Sequence, residues 1–181
     1  MKYDPQKHHR RSIRIKGFDY TDPGAYFITI VTYQRDRIFG NIVDSKMQLN
    51  ALGVIADECW RAIPEHFPNV ELGAHVVMPN HVHGIIVIRA DGNASARRGT
   101  IYRAPTKQFG KPVVGSIPTI IRSFKSAVTR RAGRELNATG IWQRNYYEHI
   151  IRNHEDWDRI HWYIESNPSR WADDKENLMK R

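Results

Sequence analysis

Leu72-Gly73-Ala74-His75-Val76-Val77-Met78, then Pro79-Asn80, then His81-Val82-His83-Gly84-Ile85-Ile86-Val87-Ile88 is the stretch that decides the fold. Two apolar, β-branched runs are split by a proline and an asparagine, which is the pattern of two strands joined tightly as a hairpin. Within the second run His81 and His83 stand two apart. Residues i and i+2 of a strand leave the same face, so both imidazoles point one way while Val82 points the other.

Working outward, the aromatic and β-branched run Tyr26-Phe27-Ile28-Thr29-Ile30-Val31-Thr32 follows the turn Asp22-Pro23-Gly24 and reads as a buried strand. Residues 34–47 read as a loop with short strand pieces around Ile42 and Val43. Leu49, Leu52, Ile55, Ala56, Cys59, Trp60 and Ile63 recur at helical spacing, so 49–63 is an amphipathic helix stopped by Pro64. A second helix covers 116–134, with Ile117, Ile120, Ile121, Phe124 and Val128 on its apolar face. Trp142–Ile151 reads as the last strand, and Asn153 caps a helix over 154–166 closed by Asn167-Pro168. The order predicts an α+β fold, a ferredoxin-like β-α-β-β-α-β sandwich. The extra C-terminal helix carries Tyr163 and is free to cover the open sheet face. Residues 1–18 form a basic arm, and 19–181 one domain with a flexible basic insertion at about 90–115.

The chain has 181 residues, 40% of them hydrophobic, which excludes a disordered chain and is enough for one core. Lys and Arg number 28 against 19 Asp and Glu, a net charge of +9. A surplus of that size favours a polyanionic partner, nucleic acid first. The single cysteine, Cys59, excludes an internal disulfide and a thiolate metal site, and its place in the helical pattern makes it a core residue. No run reaches the ~18 apolar residues of a membrane span, and the N-terminus has no signal-like apolar stretch. The expectation is a cytoplasmic protein with no membrane partner.

Two neutral imidazoles about 6–7 Å apart along a strand can grip one divalent ion. Alone, the His-x-His pattern is equally that of two solvent-facing histidines. Here the pair opens a buried strand, where polar rings are out of place unless occupied. Tyr163 and Asn167 stand four apart on the last helix and share a face.

Three segments carry a resemblance: Val77-Met78-Pro79-Asn80-His81-Val82-His83, Trp142-Gln143-Arg144-Asn145-Tyr146-Tyr147-Glu148-His149-Ile150-Ile151-Arg152, and Tyr163-Ile164-Glu165-Ser166-Asn167-Pro168. In this order and spacing they resemble the REP-associated tyrosine transposases. These are single-tyrosine transposases of the His-hydrophobic-His nuclease superfamily, and the likeness runs from about Arg11 to Asn167. The resemblance implies that His81 and His83 ligate Mg²⁺ or Mn²⁺, with Asn167 as a third ligand, where the wider superfamily often has Gln. It implies Tyr163 as the nucleophile, giving a 5′-phosphotyrosine linkage on single-stranded DNA beside a hairpin. Imidazole is an unusual partner for hard Mg²⁺, so Mn²⁺ is the better match.

Tyr146 and Tyr147 are rival tyrosines. As neighbours on a strand they face opposite ways, so only one of them can reach the ion. DNA contacts are expected from Arg10, Arg11, Arg14 and Lys16 in the arm and from Arg122, Lys125, Arg130 and Arg131 on the second helix. Two other readings stay open: a hairpin-binding module without catalysis, and a metallohydrolase that uses water. Monomer and homodimer are both compatible with the sequence.

Overall fold

A computed structural model of the protein describes residues 22–90, 113 and 115–177. The basic arm, with Arg10, Arg11, Arg14 and Lys16, lies outside these residues, as does most of the insertion expected at 90–115. The fold is α+β, as expected from the sequence. Six strands are β1 (Gly24–Val31), β2 (Gly40–Val43), β3 (Lys46–Leu49), β4 (Val70–Met78), β5 (His81–Ile88) and β6 (Tyr147–Ile151). The helices are α1 (Ala51–Arg61), the short α2 (Ile63–His66), α3 (Ile117–Leu136) and α4 (His154–Ser166). Short 3₁₀ turns follow β1 at Tyr33–Arg35 and follow α4 at Pro168–Asp173 and Lys175–Asn177.

Four strands form the main sheet in the order β4-β5-β1-β6, and β2 pairs with β3 in a separate hairpin. Every pairing is antiparallel. Local chemistry places the ends of the helices. The Asn50 side chain accepts the Gly53 amide hydrogen at the start of α1, and Asn153 does the same for Asp156 at the start of α4, which begins and ends where the sequence predicted. Three boundaries differ. Residues 34–47, read as loop with short strand pieces around Ile42 and Val43, contain most of the β2–β3 hairpin, which also takes in Leu49, read as helical. Pro64 does not end a helix so much as begin one, sitting in the first turn of α2, where its missing N–H is no loss. The last strand starts at Tyr147 rather than Trp142, because Trp142 makes only an isolated bridge to Thr32 and the backbone turns at Asn145 with φ 71°.

The period-two pattern of the strands sorts side chains between two cores. Tyr26, Ile28 and Ile30 of β1 and Val82, Ile86 and Ile88 of β5 pack with the apolar faces of α1 and α3, including Ile55, Trp60, Ile120 and Phe124. Phe27 and Ile85, on the opposite face, pack with Ile160 and Ile164 of α4. The last helix therefore covers the sheet face that α1 and α3 leave open. Gly84 is needed where it stands: a Cβ there would lie 2.3 Å from Cζ2 of the fully buried Trp60. The Trp60 ring occupies the space a side chain would take. Gly84→Ala is expected to cost about 1–3 kcal/mol through overpacking, read as a lower urea midpoint with an unchanged m-value.

Candidate active site

The register of β1 against β5 sets Thr29 opposite His83 and Val31 opposite His81. Both imidazoles therefore sit on the face covered by α4. Their ring centroids are 4.3 Å apart, and they are 0% and 2% exposed.

Each ring is oriented by a partner on its Nδ1. The Asn80 amide donates through Nδ2 to the Arg35 and Glu176 carbonyls, at 3.2 and 2.7 Å, which turns its Oδ1 toward His81 Nδ1 at 2.8 Å. His81 must then carry its proton on Nδ1. Burial, helped by the Arg35 charge, pushes its pKa down to about 3, so the ring is neutral and its Nε2 is a bare lone pair. That Nε2 is buried and, among the described residues, has no hydrogen-bond partner. His83 Nδ1 meets Thr29 Oγ1 at 2.8 Å, and burial likewise holds this ring well below its usual pKa. An oriented, neutral imidazole whose far nitrogen is held by an oxygen is what a metal-ligating histidine requires.

Tyr163 comes to the same place from α4. Its hydroxyl is 3.3 Å from His83 Nε2 and donates to Asp174 Oδ2 at 3.2 Å. Burial and the Asp174 charge raise its pKa to about 12. Asn167, one turn on, is 2% exposed; its Nδ2 donates to the same Asp174 oxygen at 2.7 Å, and its buried Oδ1 has no partner among the described residues.

Asp174 is the residue that sequence reasoning missed. Its carboxylate and the nitrogens of His81 and His83 lie within 4.8 Å of one another, a group able to hold a metal ion. Asp174 lies between the two 3₁₀ turns that follow α4 and has no periodic relation to the imidazoles. The turns are tied down by the Arg35–Glu176 ion pair and by Arg37 donating to Asn177 Oδ1 at 2.7 Å. Trp171 lies against His81, ring centroids 6.0 Å apart. The orphaned His81 Nε2 and Asn167 Oδ1, beside an acidic group and a second neutral imidazole, fit a divalent cation.

The other predicted residues are distributed as follows. Tyr147 is on the imidazole face and 55% exposed, whereas Tyr146 packs against the α1/α3 core. His149 meets Asp156 at 2.7 Å and His75 meets Asp57 at 2.9 Å, away from the cluster. Lys125 is turned to the protein itself, its Nζ donating to the Gln143 and Asn145 carbonyls at 2.6 and 3.0 Å. Arg131 is engaged by Glu58 and Glu135. Arg122 and Arg130 are exposed and, among the described residues, make no ion pair. All four lie on α3, on the sheet face opposite Tyr163.

Comparison with known proteins follows the same line. No family model matches the chain. An uncharacterised protein of Haemophilus influenzae is 42% identical over 174 residues, covering 96% of both chains. A second protein of that organism, provisionally named a REP-associated tyrosine transposase, is 28% identical over 83% of this chain and 73% of its own. A solved REP-associated tyrosine transposase bound to a REP hairpin shares the fold, with TM-score 0.59 and 20% identity over 88% of this chain and 75% of that one. The chain resembles the REP-associated tyrosine transposases. Among the described residues no helix is long and apolar enough to cross a membrane.

The geometry of the site predicts two stability effects. His81 has a folded-state pKa below its unfolded value, so the unfolded chain binds the extra proton. In chelator, stability is therefore full above about pH 6.5 and falls as pH drops toward 3. Urea midpoints between pH 7 and 4 should show this fall, and His81→Gln should flatten it. At neutral pH, Mn²⁺ should raise the thermal midpoint of the wild type by mass action and leave His81→Ala unmoved.

Proposed function

We propose that this protein is a metal-dependent endonuclease and strand transferase acting on single-stranded, hairpin-flanked DNA through a 5′-phosphotyrosine intermediate. The observation that carries this reading is the approach of the Tyr163 hydroxyl to His83 Nε2 beside two neutral imidazoles and an acid. We read the connectivity as the ferredoxin-like sandwich with an added helix that brings in the tyrosine. The likeness to a REP-associated tyrosine transposase, and the hairpin bound in the related structure, support DNA as the substrate class.

His81, His83 and Asp174 would hold the ion, with Asn167 Oδ1 beside them as a further oxygen. The carboxylate makes the donor set harder than two imidazoles alone, which suits Mn²⁺ and Mg²⁺. When bound, the ion would supply charge neutralisation at a non-bridging phosphate oxygen. Everything else falls to the chain. A phenol with a pKa near 12 is on the order of 10⁻⁵ ionised at pH 7, so it needs help to attack. Asp174 Oδ2 already accepts the Tyr163 hydrogen and is placed to take the proton. The Tyr163 oxygen forms a bond to phosphorus, the bond from phosphorus to the 3′ oxygen breaks, and that oxygen leaves protonated as a 3′-hydroxyl. One phosphate ester replaces another, so attack by a different 3′-hydroxyl reverses the step and joins strands without ATP. Asn80 and Thr29 act through the two rings, fixing which nitrogen faces the reaction.

The test is covalent capture. Incubation with a labelled hairpin bearing a single-stranded flank and Mn²⁺ should give a protein–DNA adduct, absent in Tyr163→Phe and still formed by Tyr147→Phe. His81→Ala should lose cleavage by at least about a hundredfold while DNA binding stays near wild type. Clean hydrolysis without an adduct would instead indicate a water nucleophile, and binding without either a non-catalytic hairpin binder. Affinity should fall steeply with salt, as for any protein that neutralises several phosphates.

A further inference from the structure

Beside the imidazole cluster, and unused by the reaction above, lies an open cleft of about 280 Å³. Its lining includes Thr29, the Arg35–Glu176 ion pair, and Gln143, Arg144, Asn145 and Tyr147. The Thr29 hydroxyl that orients His83 thus belongs to both places, so the cleft begins one side chain from the reacting centre.

We propose that this cleft is a single-nucleotide site, taking one unpaired base of the DNA strand whose phosphodiester lies at Tyr163 and stacking it on Tyr147. The inference rests on the reading of Tyr163 and the imidazoles as a DNA-cleaving centre.

Three features of the cleft match the three parts of a nucleotide. Tyr147 supplies the face. It pairs with Thr29 across β1 and β6, so its ring stands on the imidazole side of the sheet. Phe27 holds it edge to face, with centroids 6.5 Å apart at 70°, and the ring remains 55% exposed. An aromatic ring oriented by one neighbour and otherwise open is a stacking platform that an unpaired base can use.

Gln143 and Asn145 supply edge recognition. The backbone between them is fixed, because Lys125 binds both carbonyls and the Gln143 N–H donates to the Val31 carbonyl at 3.0 Å. Their exposed side-chain amides have no hydrogen-bond partner among the described residues, and each offers a donor and an acceptor to a base edge. Arg144, exposed and without an ion pair among the described residues, supplies the cation for the backbone phosphate. A paired base fits none of this, since both its faces and its hydrogen-bonding edge are already occupied. Lys125 is on this account a positioning residue: it shapes the wall of the cleft and does not itself touch DNA.

The test compares one DNA hairpin in two forms, blunt and with randomised single-stranded flanks on both ends, bound in chelator so that nothing is cut. Tyr147→Ala should weaken binding of the flanked form by about 5- to 150-fold, the worth of one stacked base, and leave the blunt form unchanged. Tyr147→Phe should restore the affinity. Flanks selected by the wild type should show a base preference at one position that the Gln143→Ala, Asn145→Ala double variant loses. Unchanged binding of the flanked form by Tyr147→Ala, or an equal loss on both forms, overturns the site. The two readings fail separately: an adduct that depends on Tyr163 with binding indifferent to Tyr147 removes only the nucleotide site. Binding that depends on Tyr147 with no adduct removes only the cleavage reading.

Discussion

Two buried, uncharged imidazoles, side by side on one strand, are the constraint around which this molecule is arranged. Desolvation keeps His81 and His83 neutral, and a neutral imidazole has one nitrogen that donates and one that accepts. Asn80 and Thr29 take the Nδ1 side of each ring, which leaves the Nε2 side turned inward. A buried acceptor with no partner costs free energy on the order of 1–3 kcal/mol, and the His81 Nε2 is such an atom. A folded chain keeps a cost of this kind where another group offsets it, and a cation held by this cluster would do so.

The surrounding elements can be understood as the means of holding that pair. Gly84 gives up its side chain so that Trp60 can fill the core directly behind the β5 strand. On the other face, Ile160 and Ile164 seat α4 against Phe27 and Ile85, and this seating sets Tyr163 above His83. The first 3₁₀ turn after α4 then brings Asp174 to the rings, and the second, just beyond it, is held by Arg35 and Arg37 from the segment that follows β1. Arg35 and Asn80 each serve two ends: Arg35 lowers the His81 pKa and anchors Glu176, while Asn80 fixes the His81 tautomer and binds the Glu176 carbonyl.

Basic residues, by contrast, sort by what they touch rather than by where they fall in the sequence. Lys125 and Arg131 belong to the same helix as Arg122 and Arg130, yet the first two are engaged by the protein's own carbonyls and carboxylates. Charge counted along a helix reports the field the chain presents to a polyanion. It does not report which cations remain available to it.

What the sequence determined by itself is everything with a short-range physical cause. Strand alternation put His81 and His83 on one face, Asn153 fixed the start of α4, and a four-residue spacing put Asn167 with Tyr163. These follow from backbone geometry within a few residues. Asp174, the turning of Lys125 inward, the exposed face of Tyr147 and the cleft beside it were decided only by tertiary structure. Each depends on contacts between segments that lie far apart in the chain or are joined by irregular turns, and such contacts leave no period in the sequence to read.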